Sequence, residues 1–289
     1  MVIIMNELVA ALLLKKYGSG GGGSTPTGEI NITDDGTYNV TDKASAVVRN
    51  QMLRLIVDAN YTEIMQTFTI PDDVTKLRNG CQKLRARNII ANGVLQLGEK
   101  AFSDNDDVYS LNLPLCTELG VSALRSMDAL VSVNLPELTI AYNYNFTQMA
   151  AVTELFLPKL TTAKTSFIST CTALTKAVVP KLQQVETESF SHCGALVNLS
   201  LPSLTKINGK GLFDCSSLTN LFLPQSTMAV KANSDALMAT PIWRGDGTIW
   251  VNDNLVNTYK SATNWIVLAS YIKPISEYTG DFDYMEGVS

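Results

Sequence analysis

The stretch "TELFLPKLTTA" (Thr153–Ala163) begins as an alternating strand and then meets Pro158, a residue without the N–H that a strand interior needs. Its reading decides the fold, because similar words return as "VSVNLPELTIA", "TKAVVPKLQQV", "VNLSLPSLTKI" and "TNLFLPQSTMA". Pro114, Pro136, Pro158, Pro180, Pro202 and Pro224 follow one another at intervals of 22 residues. One residue before them stand Leu113, Leu135, Leu157, Val179, Leu201 and Leu223, and three before stand Leu111, Val133, Leu155, Ala177, Leu199 and Leu221. Six before come Val108, Leu130, Val152, Leu174, Leu196 and Leu218. At this chain's apolar fraction, so consistent a pattern would arise by chance roughly once in a million trials. The chain is an array of coils.

The physics follows from the pleat. In L-x-L both apolar residues share one face and the middle residue points the other way. A single 22-residue coil has nothing to bury that face against, whereas stacked coils bury it against each other and pair their L-x-L segments as a parallel sheet. Proline then marks the corner where the chain leaves the sheet, since it donates nothing to a ladder and presets φ for a turn. Two further rows fill the other walls: Phe102, Leu124, Phe146, Ile168, Phe190 and Leu212 lie twelve residues before the prolines, and Leu119, Ala141, Ala163, Val185, Ile207 and Ala229 lie five after. Upstream, "FTIPDDVTKLRNGCQKL" and "NIIANGVLQLGEKAF" read as two more coils with irregular spacing, for about eight in all.

The composite C-x-x-L-x-x-L-x-L-P with F-x-x-C behind it, as in "FSHCGALVNLSLP" and "FDCSSLTNLFLP", resembles the BspA-like class of leucine-rich repeats found in bacterial and phage surface proteins. The resemblance implies a leucine-rich-repeat solenoid: a parallel β-sheet with short irregular or 3-10 connections and about eight 22-residue coils. The segment "GTIWVNDNLVNTYKSATNWIVLASYIKPISEY" is similar to the piece that closes such arrays, a strand followed by a helix carrying Tyr259 and Trp265. At the other end, "MNELVAALLLKKYGSGGGG" with "GEINITDDGTYNVTDKASAVVRN" resembles the opening of tail-associated structural proteins from phages of Gram-positive bacteria.

The expected division is an assembly helix over 1–17, a Gly/Ser-rich linker over 18–27, a small β-hairpin module and leading coil over 28–67, repeats over 68–230 and a cap over 231–289. The helix is apolar nearly all round, which predicts burial against other tail proteins or in a homo-oligomer. At about 13 residues its apolar run is too short to span a bilayer. It lacks the positive n-region and A-x-A site of a secretory signal, its lysines following the apolar run. A phage virion is therefore the expected location, with a bacterial cell surface as the alternative.

The 289 residues are 46% apolar and 17% charged, which suits an ordered array. A net charge of −5 argues against nucleic acid as partner. Cys171, Cys193 and Cys215 each lie nine residues before a proline, in the row that Met127 and Met149 fill elsewhere, so they read as small core residues, not as metal ligands. His192 is the single histidine, and "SHC" pairs it with Cys193 only in sequence, because neighbours on an extended chain point apart. No cofactor and no catalytic residues are expected. "RGD" at Arg244-Gly245-Asp246 resembles the integrin-recognition signal of adhesins and reads equally as a turn before the cap strand.

If the chain binds, the residues midway in L-x-L are the place: Asn112, Asn134, Phe156, Val178, Ser200 and Phe222, with Lys176, Asn198 and Asn220 one row over. Two outward phenylalanines among amides and hydroxyls suit a host cell-surface protein or glycan. The plain alternative is that these are sheet residues of adequate β-propensity. The expected function is thus a non-enzymatic tail-associated receptor-binding or structural protein, with a surface adhesin or a purely structural spacer as alternatives.

Overall fold

The computed structural model describes residues 65–70, 75–77, 86–224 and 229–285. The expected N-terminal helix, linker and hairpin, together with Cys81, lie outside the described residues. What is described is a parallel β-solenoid. Its principal sheet runs as two ladders. The first takes β1 (Met65–Thr69), β3 (Ala86–Ile90), β5 (Ser110–Asn112) and β7 (Ser132–Asn134); the second takes β10 (Glu154–Phe156), β13 (Lys176–Val178), β15 (Asn198–Ser200), β17 (Asn220–Leu223), β19 (Thr248–Val251) and β20 (Ile272–Pro274). The first eight of these strands each open one coil, as the period predicts, and the last two belong to the cap. The single sheet expected from the period is thus interrupted between β7 and β10. Because β1 already pairs with β3 at Met65, the solenoid includes residues ahead of the expected boundary at 68.

Register follows the sequence alignment: Leu111 faces Val133, Leu155 faces Ala177 and Leu199 faces Leu221. All of these except half-buried Val133 are fully inside. A second wall carries two-residue strands: β2 (Lys76–Leu77), β4 (Gln96–Leu97), β6 (Glu118–Leu119), β8 (Ile140–Ala141) and β11 (Thr162–Ala163), then β14 (Gln184–Val185), β16 (Lys206–Ile207) and β18 (Lys231–Ala232). Here one expectation is corrected. Ile207 pairs with Ala232 and not with the row position Ala229, because the last coil is three residues longer here than the 22-residue repeat. A third, shorter pair is β9 (Phe146–Thr147) with β12 (Ile168–Ser169), where Phe146 and Phe167 meet edge to face at 5.3 Å.

Between the walls the chain turns in a way no side-chain pattern announces. Two columns of non-glycine residues take the left-handed conformation: Lys100, Ser122, Tyr144, Ser166, Glu188 and Lys210, and four residues on, Asp104, Ser126, Gln148, Thr170, His192 and Asp214. Such residues are uncommon at positive φ, and each costs roughly 1–2 kcal/mol there. They are held because all but Lys210 donate their N–H to a carbonyl of the following coil, as Ser122 does to Asn143 and Thr170 to Ser191.

The cap closes the far end. Strand β19 continues the principal sheet in register with β17, and α1 (Pro241–Arg244) precedes it. Helix α2 (Val256–Ser261) follows and carries Tyr259. Trp265, which the sequence placed on the same helix, is not on it. Ala262 is extended and Asn264 has positive φ, so the chain leaves α2 and Trp265 begins a 3-10 turn, Ile266–Tyr271. Both rings are nonetheless fully buried. The Val230 N–H donates to the Tyr259 hydroxyl at 3.1 Å, and the Trp265 indole donates to the Val230 carbonyl, so the open edge of the last coil is satisfied.

Candidate functional site

The middle row of the principal sheet faces outward as the pleat requires, but its two halves differ. Asn112 and Asn134 stand side by side, and the Asn134 amide donates to Asn112 Oδ1 at 2.7 Å while Asn112 donates to Asn92 Oδ1. Phe156 is 49% exposed. Beside it Glu154 and Lys176 pair across neighbouring strands, and with Leu155 and Val178 they line a shallow concavity of about 310 Å³. Arg87 lies 5.1 Å from the ring of Tyr109 at the edge of the same half.

From Val178 onward the face is covered. Phe222, expected to be exposed, is 0% accessible. Its ring sits 4.9 Å from Tyr278, 5.2 Å from Phe282, 5.4 Å from Tyr284 and 6.3 Å from Trp250. The cause is the segment Tyr278–Met285, which crosses the sheet and turns Phe282 and Tyr284 inward while Asp281, Asp283 and Met285 stay exposed. Val178 falls to 7% exposure beneath it, and Ser200 donates from its hydroxyl to the Tyr284 carbonyl. Pro180 and Pro202 are buried here, whereas Pro114, Pro136 and Pro158 remain half-buried in the open half.

Asn198 and Asn220 form a polar rung: the Asn220 amide donates to Asn198 at 2.9 Å, and the Trp250 indole donates to Asn220 Oδ1 at 2.8 Å. Trp250, in register with Phe222, belongs to the middle row although the repeat pattern did not include it. Its signal was the "TIWV" strand, whose alternation matches "NLFL". The signal for the segment Tyr278–Met285 was "DFDY", which alternates outside the 22-residue period.

Elsewhere the chemistry is structural. Cys116, Cys171, Cys193 and Cys215 are buried free thiols. Burial pushes Cys116 up to about 11 and Cys215 up to about 12, and a hydrogen bond with Cys193 followed by burial raises Cys171 as well. Cys116, Cys171 and Cys215 are thereby held as thiols at neutral pH, without the thiolate that attack or metal binding requires. His192 is exposed, with Nδ1 3.0 Å from Asp214 and its ring edge-on to Phe213, while Cys193 points into the core. Among the described residues, no three His, Cys, Asp or Glu side chains gather where they could hold a metal ion. No described helix is long and apolar enough to cross a membrane. Arg244-Gly245-Asp246 is the C-terminal end of α1: Gly245 is the left-handed cap and the Asp246 N–H donates back to Pro241, with the Arg and Asp side chains exposed.

Comparison with known proteins agrees with this architecture. The profile of the BspA type Leucine rich repeat region matches in six copies over residues 79–193 and 139–237, more than half of the chain. Similar solved structures include a leucine-rich repeat protein of T. pallidum (19% identity, TM-score 0.45, covering 54% of this chain and 69% of that one). A leucine-rich repeat protein from Bacteroides ovatus is also similar (19% identity, TM-score 0.40, 55% of this chain and 47% of that one). A third is the pneumococcal vaccine antigen PcpA (12% identity, TM-score 0.36, 73% of this chain and 78% of that one). No curated protein sequence matches. With the repeat register, the two-walled coil and the profile in agreement, the chain belongs to the BspA-type leucine-rich repeat family.

Proposed function

We propose that this chain is a non-enzymatic recognition protein that contacts a cell surface through the open half of its principal sheet. The observation that carries the reading is Phe156. An aromatic ring half in water on a repetitive sheet, flanked by Glu154, Lys176 and the Asn112–Asn134 amides, offers an apolar anchor with polar partners around it. Such a surface suits a glycan or a host surface protein. The N-terminal stretch supports attachment to a phage tail, with the helix joining other tail proteins or further copies of the chain. The family, whose repeats are typical of bacterial surface proteins, supports a bacterial adhesin equally. Neighbouring genes distinguish the two carriers.

The test is attachment of the labelled full chain to Gram-positive cells that it binds. Phe156→Ser is expected to weaken attachment about tenfold, or about 1.4 kcal/mol, with melting unchanged. Thr161→Ser, on the corner beyond the proline, should leave attachment as it was. Undiminished attachment of Phe156→Ser would remove the open face as the contact surface.

A further inference from the structure

The covered half of the face already holds a ligand of a kind: the chain's own residues 278–285. The cap proper and this segment are held differently. Tyr259 and Trp265 are fully enclosed and hydrogen-bonded to the backbone of Val230, so they complete the fold. Phe282 and Tyr284 remain partly exposed even in place, and the segment is held by ring contacts to Phe222 and by the Ser200 hydroxyl. It lies across the ladder instead of extending it, since the principal sheet ends with β20 at Pro274. What it covers is a groove with an apolar floor of Val178 and Phe222, a hydroxyl at Ser200 and an indole wall at Trp250. Lys176 stands at one end, and at the other Lys273 lies 5.9 Å from the Trp250 ring. An extended chain that points aromatic rings onto this floor, with acidic residues between them and a lysine towards either end of the row, matches it in shape and in charge, and "GDFDY" is such a chain.

We infer that this groove is a binding site for an extended acidic–aromatic peptide segment of a partner protein, occupied at rest by residues 278–285 as a displaceable strap. The assignment deepens the proposed function, resting on the principal sheet being the recognition surface, and it names the second half's ligand as protein. A partner peptide must displace a tethered competitor whose effective concentration is on the order of millimolar. The open half then makes first contact and the covered half engages only partners that bring a matching segment.

The probe is a fluorescein-labelled synthetic peptide of residues 277–286, titrated by anisotropy against two full-length chains: wild type, and the double variant Phe282→Ser, Tyr284→Ser. The peptide is expected to bind the double variant at least tenfold more tightly than wild type, and a peptide carrying the same two serines should bind neither. Equal affinity for both chains, or no binding to either, would overturn the assignment. Should the double variant fail to fold, amide exchange on wild type decides. Residues 279–285 should exchange at least a hundredfold faster than β17 and β19, and equal protection would make the segment part of the fold and not a strap. Cell attachment is read separately: a chain that takes the peptide but attaches to no cell overturns the function proposed above and leaves the groove standing.

Discussion

Asn112 to Phe156 and Val178 to Trp250 are two stretches of one outward row on one scaffold, with parallel register and the same leucine core beneath, yet they meet water in opposite ways. Phe156 is half exposed and Phe222, the same residue type in the same row three coils on, is sealed. The difference does not come from the repeat, which places both rings outside the core. It comes from residues outside the repeat pattern, chiefly the segment 278–285. A repeat pattern therefore specifies which side chains leave the core, and sequence outside the pattern specifies which of them reach solvent.

The largest expected effect tests that contrast directly. Phe222→Ser should cost about 3–5 kcal/mol, the range for emptying a buried aromatic site, whereas Phe156→Ser should fall within about 0.5 kcal/mol of wild type as a surface change. Chemical denaturation of the two variants measures both numbers. Similar costs would mean that the strap does not bury Phe222 in solution.

A smaller effect should be common to both halves. Cys116 lies below the open half and Cys215 below the covered half, and burial raises both thiols from the usual value of 9.0, to about 11 and about 12. A raised thiol stays protonated in the folded state while the unfolded state ionises. Its contribution is therefore complete below pH 9 and is lost as pH rises towards the folded value. By pH 11 each should contribute about 2–3 kcal/mol of lost stability. Cys116→Ala and Cys215→Ala should each flatten the decline between pH 8 and 11 by a similar amount. A difference confined to one half would show that the core beneath the two faces is not equivalent.

The smallest effect lies on the surface of the open half. Lys159 Nζ sits 2.7 Å from the Glu137 carboxylate one coil back, with both side chains well exposed. Lys159→Ala should shift stability by less than about 1 kcal/mol and by nothing measurable at high salt. A larger loss would assign to surface ion pairs a holding role that the leucine ladder otherwise fills.

These contrasts also show what could be read from residues alone. Leu111, Leu155 and Leu199 were legible because each coil repeats one chemical demand, an apolar pair on one face of a pleat, and six repetitions average away local noise. Eight coils and their register followed from that. Ala232 in place of Ala229 was not legible, because the last coil's extra three residues leave both candidates apolar. Phe222 was misplaced for a different reason: alternation says which way a ring points from its own strand and says nothing of what lies above it. Burial by a segment some 60 residues away is a tertiary fact. The left-handed corners were hidden as well, since Lys, Ser, Tyr, Glu, Thr and His occupy them without any glycine to mark the conformation.

Those corners bear on how the array comes into being. All but Lys210 take their support from the coil that follows in sequence, as where the N–H of Lys100, Ser122, Tyr144, Ser166 or Glu188 reaches a carbonyl about 21 residues further on. A coil newly released from the ribosome has no successor, and its corners have nothing to hold them in a strained conformation. The earlier coils thus wait for the later ones, and the coil beneath Tyr259 and Trp265 is the one whose exposed edge is closed by something other than another repeat. Synthesis runs from the N-terminus, so each coil's corners are expected to close once the coil behind it has emerged, and in the nascent chain the most recently made coil is the open one.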